Sequence, residues 1–324
     1  MSLKESLKGI YCNENFCKFL IILDALLWGF SYLVIKDVVN KIEVGWMLAI
    51  RFLVGALIIY AFTYKKINSN FNKENIWFGV VLGLYGFGGY LTQNIGITFT
   101  TPGKNAFLTG TYSVMVPFVA YAMGLGKPER YNVVGAFVAL IGLGFVALDN
   151  GFPLNIGDVL TLICALFYSL QIVTVFKQGT GMDVATTTFW EFVVMGVGSL
   201  VWAMVKETPP NFATFVTTDY LQLAYICLIC SIFGIATSNH AFQYVDPTAG
   251  GLLASLESPF GVIFSVWLGY EVLTGRLLLG FALILVGVVF SEGGPAIIAW
   301  FNKKYKHVEE VEVEEVLTLS QETE

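Results

Sequence analysis

The chain has 324 residues, of which 56% are hydrophobic and only 13% are charged, and its mean hydropathy is +0.70. A soluble domain carries about 25% charged residues, so this composition cannot cover an ordinary globular surface. The apolar content recurs from residue 19 to residue 300, which is typical of a membrane protein with many spans. The basic residues are sparse and scattered, which excludes a nucleic-acid surface.

Ten apolar segments follow one another along the chain, and most reach the roughly 20 residues that a helix needs to cross a bilayer. Strand-like alternation is not the pattern, and helices satisfy their own backbone hydrogen bonds in lipid. We therefore predict an all-α integral membrane protein with ten transmembrane helices. The predicted spans are 19–35, 44–64, 76–99, 102–126, 131–148, 156–176, 184–205, 220–245, 247–270 and 276–291.

An internal repeat relates the two halves of the chain. The stretch "TPGKNAFLTGTYSVMVPFVAYAMG" (101–124) matches "DPTAGGLLASLESPFGVIFSVWLG" (246–269) at an offset of 145 residues. A weaker match near an offset of 140 links "ALLWG" (25–29) with "ALFYS" (165–169). Because each half holds an odd number of helices, the second half enters the membrane with inverted topology, as in many secondary transporters. The offset of 145 pairs Gly89 with Gly234, Thr92 with Thr237, Asn94 with Asn239, Pro102 with Pro247, Gly124 with Gly269, Gly135 with Gly280, and Gly142 with Gly287.

The repeat divides the chain into five predicted regions. They are a cytosolic N-terminus (1–18), a first repeat (19–148), a linker (149–155), a second repeat (156–292) and a cytosolic acidic tail (293–324). The tail holds seven glutamates in its last sixteen residues, and no Lys or Arg follows Lys306, which predicts a solvated segment. The apolar run from residue 19 lacks a small-residue cleavage site, so we interpret it as a retained first span.

Several quoted segments carry a resemblance to a known family. They are "ALLWGFSYLVIK", "RFLVGALI" and "NAFLTGTYSVMVPF" in the first half, and "ASLESPFGVIFSVWLGYEVL" and "LLLGFALILVGVV" in the second. In order and spacing the chain resembles the drug/metabolite transporter superfamily, EamA type, over nearly its whole length. The resemblance implies ten helices, cytosolic termini and transport of small metabolites, but it implies no particular substrate. One departure is "LGYE", where the family commonly has Leu-Gly-Glu.

The distribution of basic residues predicts the orientation in the cell membrane. With the N-terminus inside, the inner segments hold twelve Lys and Arg residues and the outer segments hold five, which places both termini in the cytosol. The inner residues are Lys4, Lys8, Lys18, Lys65, Lys66, Lys73, Lys127, Arg130, Lys177, Lys303, Lys304 and Lys306, and the outer ones are Lys36, Lys41, Lys104, Lys206 and Arg276.

Glu257 is the strongest candidate for a substrate-binding or coupling residue. It lies ten residues beyond Pro247, or about 15 Å along a helix, which is near the midplane. Its repeat counterpart is Tyr112, which approaches the same depth from the other side. A functional Glu257 binds a cationic group or carries a proton, whereas a structural one is protonated and hydrogen-bonded to a neighbouring helix. Pro259 is expected to free a backbone carbonyl one turn earlier, as an acceptor for the cavity.

Two further charged residues lie inside predicted spans. Arg51 in helix 2 either binds a substrate carboxylate or reaches to the outer face of the membrane. Glu191 in helix 7 aligns loosely with Arg51 and is either a second coupling site or a buried, neutral hydrogen-bonding group. A direct salt bridge between the two is left open, because they lie at different depths.

The other candidates are polar and aromatic residues of four helices. Trp28, Ser31 and Tyr32 lie roughly on one face of helix 1, which either lines a cavity or, for Trp28, serves packing, and helix 6 has Tyr168 and Gln171. Gln93 and Asn94 lie late in helix 3, and Asn239 and His240 lie late in helix 8, where gate or interhelical hydrogen bonds are expected. For His240, a structural role is the alternative to a proton relay.

We predict a secondary transporter of a small metabolite, an amino acid or a similar polar or amphiphilic solute, working by alternating access. Coupling to protons and uncoupled exchange are both open. The alternatives are a channel and an integral membrane enzyme; no catalytic motif supports the enzyme. Cys227 and Cys230 form a C-x-x-C that no second pair completes, so we expect helix packing and neither a metal nor a cofactor. The expected partners are the substrate, protons and the lipid bilayer.

Overall fold

The computed structural model describes residues 12–147, 155–269, 272–276, 278–280, 282–291 and 293–294. These residues form ten helices, as predicted, and include no strand. Most of the predicted N-terminal region and linker, and the acidic tail beyond Gly294, lie outside them. The helices are α1 (Glu14–Val38), α2 (Val44–Ser69), α3 (Lys73–Thr98), α4 (Pro102–Gly110 and Tyr112–Ala122), α5 (Arg130–Ala147), α6 (Ile156–Gln178), α7 (Val184–Lys206), α8 (Thr217–Ala241), α9 (Pro247–Ala254 and Glu257–Trp267) and α10 (Leu278–Ser291).

Six of these helices, α1, α2, α6, α7, α8 and α9, are long and apolar enough to cross a membrane. Their ends differ from the predicted ones because caps, which hydropathy does not detect, set them. The Asn13 side chain accepts hydrogen bonds from the backbone of Asn15 and Phe16, so α1 begins five residues earlier than predicted. Likewise α8 runs from 217 to 241, and not from 220 to 245.

Helices α4 and α9 begin and end at equivalent positions of the two repeats. Pro102 and Pro247 stand in the first turns, after the N-cap residues Thr101 and Asp246. The helices were predicted to reach residues 126 and 270, but they end at Ala122 and Trp267. Two residues beyond each end, Gly124 and Gly269 have φ angles of 81° and 78°, a left-handed conformation that stops a helix and favours glycine.

Most of the packing joins one half of the chain to the other. Helix α2 packs on α7, α3 on α6 and α7, and α1 on α9. Small residues allow the close approach: a methyl group placed on Gly29 of α1 would lie 2.7 Å from Cβ of Phe260 in α9. The two repeats therefore interlock around a shared interior.

Helices α5 and α10 cross at two glycine contacts that reveal a pseudo-two-fold axis. A methyl group on Gly135 would lie 2.7 Å from the carbonyl oxygen of Gly287, and one on Gly142 would lie 2.6 Å from that of Gly280. The sequence repeat pairs Gly135 with Gly280 and Gly142 with Gly287, so exchanging the two halves turns one contact into the other. This exchange requires antiparallel helices, as an inverted repeat predicts.

Helices α4 and α9 are interrupted at equivalent positions. The break in α4 falls at Thr111, and the break in α9 falls at Ser255 and Leu256. The second segments then begin with the repeat pair Tyr112 and Glu257. The expectation that Pro259 frees an acceptor one turn earlier is wrong, because the Ser255 carbonyl accepts a hydrogen bond of 3.1 Å from the Ser258 amide.

Candidate functional site

A cavity lies between the two halves, at the level of the breaks in α4 and α9. It encloses about 750 Å³ of space between atoms, part of it open to solvent. Fourteen of its eighteen lining residues are repeat pairs at offsets of 140 or 145 residues, so the cavity lies on the pseudo-two-fold axis. The seven pairs are Trp28 and Tyr168, Ser31 and Gln171, Tyr32 and Ile172, Ile35 and Val175, Tyr90 and Ile235, Gln93 and Ser238, and Tyr112 and Glu257.

The repeat makes the frame symmetric, but the chemistry of its two sides differs. The first half contributes Arg51, Ser31 and Gln93, and the tyrosines at 32, 90 and 112. The second half contributes Glu257, Gln171, Ser238 and Asn239, with aliphatic residues in place of two of the tyrosines. A ligand with two different ends therefore meets a different partner at each side.

Glu257 begins the second segment of α9 and is buried. The hydroxyl groups of Tyr32 and Tyr112 face its carboxylate, but its Oε1 has no hydrogen-bond partner in the described part of the chain. Two contacts hold this segment in place. The Ser258 hydroxyl donates to the Ala106 carbonyl at 2.6 Å, and Gly29 of α1, which has no side chain, lets α1 pack closely against the segment. Burying a carboxylate oxygen without a hydrogen bond costs free energy, so a cation or a proton bound at this oxygen would be stabilised.

Arg51 also lines the cavity, and its side chain does not reach to the outer face. It is only 2% exposed, and its guanidinium lies 4.7 Å from the centre of the Tyr90 ring. Its Nε donates to the Ser231 hydroxyl, while Nη1 is buried without a hydrogen-bond partner among the described residues. Within those residues no acidic side chain forms an ion pair with Arg51, so the salt bridge to Glu191 is not formed.

Aromatic residues form much of the cavity wall. The ring centre of Tyr168 lies 5.5 Å from that of Tyr90 and 6.4 Å from that of Tyr112, in edge-to-face arrangements. Gln93 joins three helices to α3: its Nε2 donates to the hydroxyls of Tyr32 and Thr109, and its Oε1 accepts from the Tyr168 hydroxyl, each at 3.1 Å. These bonds fix the orientation of the rings that a ligand would contact.

Three of the predicted candidates lie outside the lining. Glu191 is buried behind the wall, where it accepts hydrogen bonds from Gln171 and Asn239, both of which line the cavity. The Asn94 side chain donates to its own helix, at the Tyr90 carbonyl. The His240 ring lies 5.1 Å from that of Tyr244, on another face of α8. The cavity contains the other eight: Trp28, Ser31, Arg51, Tyr112, Tyr168, Gln171, Asn239 and Glu257.

Three polar residues near the cavity were missed as candidates. Tyr90 and Ser238 line it, and each is the repeat partner of another lining residue, which was a usable signal. Asp24 is fully buried in α1 and accepts hydrogen bonds of 2.8 Å from the hydroxyls of Thr237 and Ser238. It lies one turn before Trp28, on the same face of the helix.

The described ranges show no sign of a metal site or of disulfide bonding. They contain no group of three or more His, Cys, Asp or Glu residues that could hold a metal ion. Within these ranges none of the five cysteines forms a disulfide bond, and Cys227 and Cys230 are buried in α8. What the cavity offers is a guanidinium nitrogen and a carboxylate oxygen, Nη1 of Arg51 and Oε1 of Glu257, that have no hydrogen-bond partner among the described residues, together with a set of aromatic faces.

Comparisons with known proteins agree with this architecture. A sequence model of the EamA-like transporter family matches twice, at residues 15–148 and 155–292. A protein of Archaeoglobus fulgidus named as an uncharacterized transporter is 26% identical, over 88% of this chain and 87% of its own. The uncharacterized transporter YoaV of Bacillus subtilis is 24% identical, over 84% of this chain and 94% of its own.

A plant protein and a solved structure extend the comparison. A WAT1-related chloroplastic protein of Arabidopsis thaliana is 25% identical, over 82% of this chain and 67% of its own. A solved crystal structure superposes with a TM-score of 0.70 at 15% identity, over 85% of this chain and 96% of the other, which shows a shared fold. Since the family match covers both repeats, the chain belongs to the EamA-like transporter family and is a multi-pass membrane transporter.

Proposed function

We propose that this protein is a secondary transporter of a small zwitterionic solute of the amino-acid type. The observation that carries the proposal is that Arg51 Nη1 and Glu257 Oε1 are buried without a hydrogen-bond partner in the part of the chain that the structure describes, and that both residues line one cavity. A substrate carboxylate would satisfy the guanidinium, and a substrate ammonium would satisfy the carboxylate. The aromatic wall favours an apolar side chain on the substrate.

The pseudo-two-fold frame supports alternating access. Two similar halves can exchange inward-facing and outward-facing conformations at little difference in free energy, with the site between them near the midplane. The paired glycine contacts of α5 and α10 are consistent with this exchange, because each contact is the repeat image of the other.

Proton coupling follows from competition for Glu257. A substrate ammonium and a proton both neutralise this carboxylate, so they bind in alternation, and the protein exchanges substrate for protons. Uncoupled exchange is the competing outcome. It would be shown by substrate accumulation that does not respond to an imposed pH gradient in proteoliposomes.

A set of matched ligands tests the substrate class. We expect L-phenylalanine or L-leucine to stabilise the purified protein against heat, because a ligand that binds only the folded state raises the apparent stability. The amide of the same amino acid lacks the carboxylate, and its N-acetyl derivative lacks the ammonium. Each should bind about 10- to 100-fold more weakly, the effect of losing one buried charge-assisted hydrogen bond. Equal binding of all three forms, or of none in a screen of the twenty amino acids, would refute the proposal.

We also propose that both termini face the cytosol at the plasma membrane. The excess of inner Lys and Arg supports this orientation. One of the five outer cations, Lys104, is buried and paired with Asp158 at 2.8 Å, which leaves the outer segments with less exposed positive charge. Single cysteines introduced at Thr101 and Asp246 in a cysteine-free variant should react with an impermeant reagent from outside and inside, respectively. Reaction of both from the same side would contradict the topology.

A further inference from the structure

Between its N-cap residue and the glycine of the repeat pair, helix α8 contains one residue more than its counterpart α3. The N-cap residues Asn72 and Val216 are 144 residues apart, but the later pair Gly89 and Gly234 is 145 apart. Between these points, Tyr225–Phe233 forms a π-helix, whereas α3 is α-helical from Lys73 to Thr98. A wide π turn is the usual way for a helix to absorb an inserted residue, and such turns are frequent at functional sites.

The π-helix has four buried residues, Ile226, Cys227, Cys230 and Ser231. At the offset of 144 the first three match buried residues of α3, namely Leu82, Gly83 and Gly86. Ser231 matches Phe87 at this offset and Gly86 at the offset of 145, so it is a buried hydroxyl group that the first repeat lacks.

Ser231 holds the guanidinium of Arg51. The hydroxyl donates its hydrogen to the Ile226 carbonyl at 2.8 Å, which leaves the oxygen lone pairs as acceptors for Nε of Arg51. The Tyr90 ring sets the plane of the guanidinium by stacking, and the bond to Ser231 sets its rotation. Both constraints are needed to point Nη1 at a ligand.

The same π-helix holds a second cavity residue. The Trp28 indole Nε1 donates to the carbonyl of Cys230 at 2.9 Å, and the Cys227 thiol donates to the backbone carbonyl of Arg51 at 3.3 Å. In the first repeat, the counterpart of Trp28 is Tyr168, whose hydroxyl donates to the Gln93 side chain. The inserted residue thus breaks the symmetry between the two sides of the cavity.

We propose that Ser231 is a positioning residue for Arg51 and so determines the preference of this transporter for substrates that carry a carboxylate. This inference rests on the proposed function, in which Arg51 binds that carboxylate. Without the serine oxygen, the guanidinium would keep its charge and its stacking contact but lose its defined rotation.

The test compares an amino acid with its amide on variants of the full-length protein. The probes are L-phenylalanine and L-leucine with their amides, and the readout is the dissociation constant from ligand-dependent thermal stabilisation. Ser231→Ala is expected to weaken the binding of the amino acid about 5- to 10-fold and to leave that of the amide unchanged; the loss is smaller than that for removing the guanidinium, because Arg51 keeps its charge and loses only its defined rotation. Ser231→Thr keeps the hydroxyl and should restore the affinity. Ser199→Ala, another buried serine change on a neighbouring helix, is the control.

The outcomes separate this inference from the proposed function. Equal loss for the amino acid and the amide, or no loss for either, would overturn the positioning role. If Ser231→Ala does not fold, Ser231→Cys replaces it, because the thiol has a similar volume but is a weaker acceptor. This variant should likewise weaken the binding of the amino acid and leave that of the amide unchanged. If Arg51→Ala weakens the amino acid while the folded serine variants do not, only the role of Ser231 fails. If Arg51→Ala has no effect, the proposed function fails.

Discussion

Glu257→Gln is expected to abolish substrate accumulation driven by a pH gradient in proteoliposomes, while counter-flow exchange survives at saturating substrate. The glutamine amide cannot take up a proton, so the competition that couples substrate to protons is lost. It also carries no charge for a substrate ammonium, so the dissociation constant of the amino acid should rise about 10- to 100-fold. The shape of the site should persist, because the change is isosteric and Oε1 of Glu257 has no described partner to lose.

Glu191→Gln is the matched comparison for this experiment. Glu191 is also a buried glutamate, but its carboxylate already accepts hydrogen bonds from Gln171 and Asn239. We expect this variant to retain the dependence of accumulation on the pH gradient. If Glu191→Gln loses that dependence and Glu257→Gln does not, the coupling residue is Glu191 and not Glu257.

Arg51→Ala is expected to weaken the amino acid about 10- to 100-fold and to leave the binding of its amide nearly unchanged. The reason is that Nη1 is a buried donor without a hydrogen-bond partner among the described residues, and alanine removes the charge that meets the substrate carboxylate. Dissociation constants for both compounds, measured on the same preparation, give the selectivity directly.

Arg51→Lys separates charge from geometry at this position. Lysine keeps a positive charge but lacks the planar fork, and it cannot both bond to Ser231 and present a second donor in a fixed direction. We expect an intermediate loss for the amino acid. An equal loss for the amino acid and the amide in Arg51→Ala would indicate damaged folding, and would remove the support for a carboxylate site.

The repeat could be read from the sequence because it depends on residues with strict backbone roles. Pro102 and Pro247 stand in the first turn of a helix, where proline loses no hydrogen bond, and Gly124 and Gly269 adopt positive φ. The same offset predicted that Tyr112 and Glu257 would share a depth. Both begin the second segments of interrupted helices and both line the cavity.

The faces of the helices were harder to predict than their positions. Neighbouring residues on a helix point about 100° apart, so packing decides which of Gln93 and Asn94, or of Asn239 and His240, faces the cavity. In each of these pairs the structure places one residue in the lining and the other outside it. Residue type does not show which member of each pair faces the cavity, because both members are polar.

The π-helix of α8 was not predicted, although the sequence contains its signal. The helix starts at Asn72 and Val216 differ by 144 residues and the later glycines by 145, but Val216 is an unusual cap and hides the first offset. Asp24 lacks such a signal, because its counterpart at the offset of 140 is the uncharged Cys164.

The most direct test of the zwitterion site is a structure of the protein with a bound amino acid that stabilises it. We expect the ligand carboxylate to lie within hydrogen-bond distance of the Arg51 guanidinium and the ligand ammonium to lie within that distance of the Glu257 carboxylate, between the two repeats. A ligand bound outside this cavity, or one bound inside it with neither charged group contacting these residues, would contradict the proposed site.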